Sequence, residues 1–306
     1  MLIGTPSGIG DFSWIWSKLV NAGEDFQVDL ADGWPHRTRP FLELLPRITE
    51  SRYAEFQYND VLSFATVQGL NKPGLTWEEI RAKGFGRTLI ECNRHLEQGK
   101  RLEDWLPDLE TDFHYEIKGP TDRELAHVDS IFEDKGLLWE DLPRPFIGIS
   151  AASYRGSEAW STWDEDEWIG FLRGLQSDLG GTIILLGGFW DDLTHVISKE
   201  GYLDCVGKTK VSHLLEIQKR LDYFIGFSSG MGILRTVLRL PTFMMFPDHL
   251  SGLATAWTPP EMLENTYGWS HWLRPDRVRV LIDQWLDRCL RGNREYSQSN
   301  SFSAAY

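Results

Sequence analysis

Apolar positions along this chain fall into two patterns. Short, near-continuous apolar runs predict buried strands, and apolar residues spaced three and four apart predict helices. The runs are clearest between Phe146 and Phe246. They are Phe146-Ile147-Gly148-Ile149-Ser150, Thr182 through Gly188, Leu221 through Gly230, and Leu240 through Phe246. Strands that read this way belong to parallel sheets covered on both faces, and open α/β sheets bind ligands at the carboxyl ends of their strands. The small and hydroxyl residues after these runs are therefore a candidate ligand-binding rim. They include Ser150, Ser153, Gly187, Gly188, Ser228, Ser229 and Gly230, with Lys208 after a shorter apolar step.

Helical spacing fills the gaps. An acidic run at Asp164–Glu167 opens a helix with the stripe Trp168, Phe171, Leu172 and Leu175, and a second helix covers Val211 to Arg220. A long amphipathic helix follows near the end, through Val278, Ile282, Trp285 and Cys289, before a Ser-rich tail expected to be disordered from 296 to 306.

The first half has the same grammar, less regularly. Met1–Gly4 predicts a strand, Gly8 and Gly10 a turn, and Phe12 to Val20 a helix with Asp11 at its start. Asp25–Leu30 predicts the second strand, followed by a polar loop from Asp32 to Pro40 that carries His36, Arg37 and Arg39. Further short strands are expected at 53–58 and 61–66. Residues 72–110 read as a helical insertion with a solvated charged face, opened by a capping box at Thr76–Glu79. Asp112–Ile117 reads as a strand and Thr121–Lys135 as a helix closed by Gly136. Two prolines in Leu142-Pro143-Arg144-Pro145 mark a linker, giving domains at 1–145 and 146–295.

Composition narrows the function classes. A net charge of −14 argues against broad nucleic-acid binding but leaves room for a local cationic site. The three cysteines, Cys92, Cys205 and Cys289, match no metal or redox spacing and are expected as buried apolar groups in a reducing, cytoplasmic setting. No apolar run is long enough to span a membrane, and the N-terminus lacks the basic region of a signal peptide. Fourteen tryptophans offer flat apolar faces of the kind that bind sugars and bases; most are expected in the core and two or three in a cleft.

Strand, glycine turn and helix at residues 1–20 place free backbone N–H groups at the helix start. The Gly-x-Gly-Asp turn lacks the third glycine of a dinucleotide fingerprint. Asp11 reads either as a helix cap or as a catalytic carboxylate.

Three anchors together resemble the heptosyltransferase-like glycosyltransferases of family 9. They are Gly8-Ile9-Gly10-Asp11, Leu185-Leu186-Gly187-Gly188 with Val206-Gly207-Lys208-Thr209, and Asp222 through Gly230 with Leu240-Pro241-Thr242. The resemblance implies a GT-B fold, two Rossmann-like α/β domains facing across a cleft. It also implies transfer of a sugar from a nucleotide-diphosphate donor to an acceptor hydroxyl, without metal or cofactor. Asp11 then matches the family's general base. Gly8, Gly10, His36, Arg37 and Arg39 would face the acceptor. Ser150, Ser153, Arg155, Gly187, Gly188, Lys208, Ser228, Ser229, Gly230 and Met231 would face the donor. The chain departs from the family in lacking a Lys before the Trp of the first second-domain loop, where Arg155 is the substitute. Ser228 also stands for an acidic residue, and a later His is missing. The acceptor is a glycan or another hydroxyl carrier; a modified base in DNA is an alternative that the net charge disfavours. A non-catalytic nucleotide- or glycan-binding module and an epimerase of related fold are the competing classes.

Overall fold

The computed structural model describes residues 1–32, 35–57, 75–83, 86–150, 163–188, 202–227, 229–246, 266–270 and 274–302. The expected strands at 61–66 and the long loop with Ser153 and Arg155 lie outside these residues, as does Ser228.

The first sheet is parallel, with order β3-β2-β1-β4. Its strands are β1 (Leu2–Thr5), β2 (Phe26–Asp32), β3 (Ile48–Gln57) and β4 (Thr88–Leu89). Helix α1 (Ile9–Leu19) follows β1 and packs Phe12 and Trp16 against Phe26, with Ile3, Val28 and Leu30 in the same core. Lys18 is buried at the end of α1. Its ammonium donates to the carbonyls of Glu103 (2.8 Å) and Leu109 (2.9 Å), and burial pulls its pKa down.

Four expectations in this half are corrected. Residues 35–42 form a helix, α2 (Pro35–Leu42), where a loop was expected. Pro35 stands at its first position, where a missing N–H costs nothing. The segment 72–110 is not a purely helical insertion. It contains α3 (Trp77–Lys83), the edge strand β4 and the short α4 (Asn93–Glu97). The capping box at the start of α3 is present, Glu79 N–H donating to Thr76 Oγ1 (3.1 Å) and Thr76 N–H to Glu79 Oε2 (2.9 Å). Residues 112–117 form no strand. They strap the first core, with Asp112 N–H donating to Ser17 O (2.7 Å) and Tyr115 buried. Helix α5 (Asp122–Asp129) is shorter than expected, although Gly136 does close the following turn at φ 68°.

The second sheet is also parallel, with order β10-β9-β8-β5-β6-β7. Its strands are β5 (Phe146–Ser150), β6 (Thr182–Leu185), β7 (Leu203–Asp204), β8 (Tyr223–Phe227), β9 (Thr242–Phe246) and β10 (Thr266–Ser270). Helices α6 (Glu165–Leu179), α7 (Val211–Arg220), α8 (Gly230–Val237) and α9 (Pro275–Phe302) complete this half. Trp168, Phe171, Leu172 and Leu175 of α6 meet Val278, Ile282 and Trp285 of α9 over one face of the sheet. The helix α9 runs on to Phe302, where a disordered tail was expected. Val128, Ile131, Phe132 and Trp139 join the core on the other face, so the segment before the linker packs on the second sheet.

Arg235 on α8 is buried, and burial pushes its pKa down to about 9. Its guanidinium donates to the carbonyls of Gln218, Leu221, Asp222 and Pro241, tying α7, β8 and the α8–β9 turn together.

Every described tryptophan side chain is buried, as are the three cysteines, which are free. Burial raises the pKa of each thiol.

Candidate functional site

Parallel sheets open a crevice where neighbouring strands send their connections to opposite sides. In the first sheet this happens between β1 and β4. Ile90 N–H donates to Gly4 O (2.8 Å), so the residues leaving β4 emerge beside the turn that leaves β1. Asp11 sits in the first turn of α1, half-buried, and Asn93 begins α4. Asn93 Nδ2 donates to Asp11 Oδ1 at 2.7 Å. Gly8 caps α1 through its backbone, with Phe12 N–H donating to Gly8 O (2.9 Å). A Cβ at Gly8 would collide with Asp11 Oδ2. Glycine there makes room for the carboxylate, so Asp11 is not the N-cap of its helix.

In the second sheet the crevice lies between β5 and β8, where Ser150 pairs in register with Gly226. Ser150 is fully buried at the end of β5. Beyond β8, Ser229 is the N-cap residue of α8, yet its side chain makes no capping bond. Its buried Oγ has no hydrogen-bond partner. A hydroxyl placed at a helix start and not used on the helix is available to an anionic oxygen.

The two crevices meet. A Cβ at Gly10 would touch Ile233 Cδ1 (2.6 Å), and one at Gly230 would lie 3.0 Å from Ile9 Cβ and 3.4 Å from Gly10 N. The first turns of α1 and α8 are thus in contact almost backbone to backbone. Their N–H-rich, partially positive ends lie side by side. Leu215, Ile233, Leu234 and Met244 of the second half pack into the core of the first.

The other expected site residues are more scattered. The α2 helix is held beside the β1–α1 turn by Thr38 Oγ1, which donates to Ser7 O. His36 and Arg37 lie on the first turns of this helix, and the exposed Arg39 pairs with Glu43 (3.5 Å). Gly187 and Gly188 follow β6, with Gly207 N–H donating to Gly187 O (3.1 Å). Lys208 follows the edge strand β7, three strands from β8, and its ammonium lies 3.9 Å from Asp134. At about 4.8 Å per strand, that is roughly 14 Å along the sheet. Met231 turns its side chain into the core with Phe224, leaving its backbone N–H to the helix start. Asn93 was not among the candidates. Its only sequence signal was a polar residue three positions after the apolar pair Leu89-Ile90, in a segment taken for a solvated face.

Neighbouring groups stiffen α1 behind the carboxylate. Tyr115 Oη and Ser13 Oγ are 2.6 Å apart and buried, and burial raises the tyrosine pKa. The Cys92 thiol is pushed well up by burial and by the charges of Glu91 and Asp11.

No family model and no curated protein matches the sequence. Solved structures do match. A glycosyl transferase family 9 protein from Veillonella parvula DSM 2008 is 11% identical, with TM-score 0.56 over 88% of this chain and 85% of its own. The E. coli ADP-heptose LPS heptosyltransferase II is 14% identical, with TM-score 0.58 over 93% of this chain and 98% of its own. E. coli heptosyltransferase WaaC with ADP is 14% identical, with TM-score 0.52 over 93% and 100%. The chain has the GT-B fold. The resemblance read from the three anchors therefore holds at the level of fold. Among the described residues, no helix is long and apolar enough to cross a membrane.

Proposed function

We propose that this GT-B protein is a glycosyltransferase that moves a sugar from a nucleotide-diphosphate donor to an acceptor hydroxyl, with Asp11 as general base. The observation that carries the reading is the seam between α1 and α8. It puts a carboxylate in the first turn of one helix beside the N-terminus of the other, with the unpartnered Ser229 hydroxyl there. In the transfer, the acceptor oxygen forms a bond to the sugar C1 while the bond from C1 to the diphosphate oxygen breaks. The acceptor proton passes to the Asp11 carboxylate, and the electron pair leaves with the diphosphate. The α8 N–H groups and Ser229 face the charge that develops on that leaving group, in the role a metal ion plays in other transferases. His36, Arg37 and Arg39 on α2 are assigned to the acceptor side.

A thermal-shift screen against ADP-, UDP-, GDP- and CDP-sugars tests the reading. A donor at a hundredfold excess over its Kd stabilises the native state by about 2.7 kcal/mol. Absence of a shift with all four overturns donor binding. With the donor that binds, Asp11→Asn should keep the shift and lose nucleoside diphosphate release. A shift without release in the wild type, across a broad glycan panel, would instead mark a binding module.

A further inference from the structure

The carboxylate that the proposed reaction depends on is gripped from outside its own helix. Asp11 reaches the cleft from the first turn of α1, and a side chain there can swing about χ1 and χ2. Two features restrict it. Gly8 leaves space only as large as the Oδ2 side of the carboxylate needs, since a single added carbon would overlap it. On the other side, Asn93 donates to Oδ1 at 2.7 Å. A carboxylate only accepts, so the amide must present its Nδ2 to Asp11.

Asn93 is well placed for this task. It comes four residues after β4, whose pairing with β1 fixes Leu89 opposite Gly4. Ile90 N–H then bonds Gly4 O, and Cys92 and Leu96 are buried in the first core. The start of α4 is therefore anchored to the strand that precedes Asp11, and the amide and carboxylate share one rigid frame. The N-cap of α4 is Cys92, which makes no side-chain capping bond. Edge strand β4, only two residues long, packs Leu89 against the Ala31, Ala54 and Phe56 cluster and brings this turn to the end of β1.

We infer that Asn93 is a positioning residue that orients the Asp11 carboxylate for proton transfer. This rests on Asp11 being the base. An amide suits the role chemically. It is a neutral donor at every working pH, so it holds the carboxylate without taking the proton that the carboxylate must accept.

The test compares variants of the full chain with the nucleotide sugar found by the thermal-shift screen. Asn93→Asp is nearly isosteric but replaces the donor by a second carboxylate. Asn93→Ala removes the contact, and Asn93→Gln keeps a donor on a longer arm. The expected result is a fall in kcat of roughly 10–100-fold for Asn93→Ala, with donor KM unchanged. Asn93→Asp should fall at least as far, and Asn93→Gln less. On an Asp11→Asn background, Asn93→Ala should add nothing, because the group it orients is gone. A purely structural role predicts the reverse: tolerance of the isosteric Asn93→Asp, and a full further loss in the double variant. Either of those outcomes overturns the inference. If Asp11→Asn alone turns over at the wild-type rate, or the wild type turns over no donor, the base assignment fails first and the inference goes with it. Independently of turnover, the Asn93 side-chain amide resonances should move on Asp11→Asn. Unmoved resonances would sink the pairing itself.

Discussion

Gly230→Ala is the sharpest probe of the seam that joins the two halves. The added Cβ would sit 3.0 Å from Ile9 Cβ and 3.1 Å from Ile9 Cγ2. Neither atom is the tip of a flexible chain, so α1 and α8 must part by about half an ångström to restore ordinary contact. Overpacking of this sort costs about 1–3 kcal/mol. Lost freedom of the unfolded chain returns about 0.4–1 kcal/mol, leaving a net loss of about 1–2 kcal/mol. The catalytic effect should be comparable to the stability effect, since a tenfold change in rate is about 1.4 kcal/mol. The displacement falls within two residues of Asp11, and a misplacement of about 1 Å can cost a hundredfold, so a loss of about tenfold in kcat is expected. Gly10→Ala is the control, because its new carbon overlaps the Cδ1 tip of Ile233, which can rotate away, and lies at an ordinary 3.8 Å from the Gly230 backbone. Urea unfolding gives the stability change and nucleoside diphosphate release the rate. Ile9→Ala on the Gly230→Ala background removes one of the two clashes and should recover part of both. A Gly230→Ala protein with wild-type midpoint and rate, or one no worse than Gly10→Ala, would refute the claim that backbone contact sets the geometry of the site.

Two further predictions concern the frame around that seam. Arg235→Met leaves four carbonyls in or near the core without their shared donor and should cost about 3–5 kcal/mol in urea unfolding; a loss under 1 kcal/mol would mean water replaces it at no cost. Glu124 accepts from Ser212 Oγ (2.6 Å) and Thr121 N–H (2.8 Å), which hold its pKa down to about 2 from an ordinary 4.5. Between those values the unfolded chain binds more protons than the folded one, so the stabilisation is complete above pH 4.5 and drains away as the pH falls towards 2. The stability gap between the wild type and Glu124→Gln should therefore close across that window, and a pH-independent gap would contradict the pairing.

The second sheet was legible because its strands are covered on both faces. Residues such as Ile147, Ile149, Ile183 and Ile225 leave no polar positions to blur the pattern. The first half was harder for specific reasons. Residues 113, 115 and 117 alternate like a strand because the strap, which turns at 113–114, lays Phe113, Tyr115 and Ile117 onto the first core. Asp112 N–H goes to Ser17 O on α1, His114 N–H to the Asp112 carboxylate and Lys118 N–H to Leu44 O after α2, and alternation alone cannot distinguish a strap from a strand. Strand β4 is two residues long, below any periodicity, so the switch point it creates beside β1 was invisible. Without that switch point nothing linked Asn93 to Asp11, 82 positions apart. Asp11 itself was legible as a pair of alternatives, cap or acid, and its place within the helix, with Gly8 at the N-cap, removes the first.

The glycine seam has a consequence for how such a protein can change. Because α1 and α8 approach through Gly10 and Gly230, the spacing between the two helix starts is set by these glycines with the Ile9 and Ile233 side chains beside them. On the proposed reading, the other connections that leave the strand ends can be lengthened, shortened or recharged without moving Asp11 relative to the start of α8. Substrate choice and reaction geometry would then be carried by separate parts of the chain. Grafting those connections from another protein of this fold should transfer preference while the seam keeps the chemistry in register.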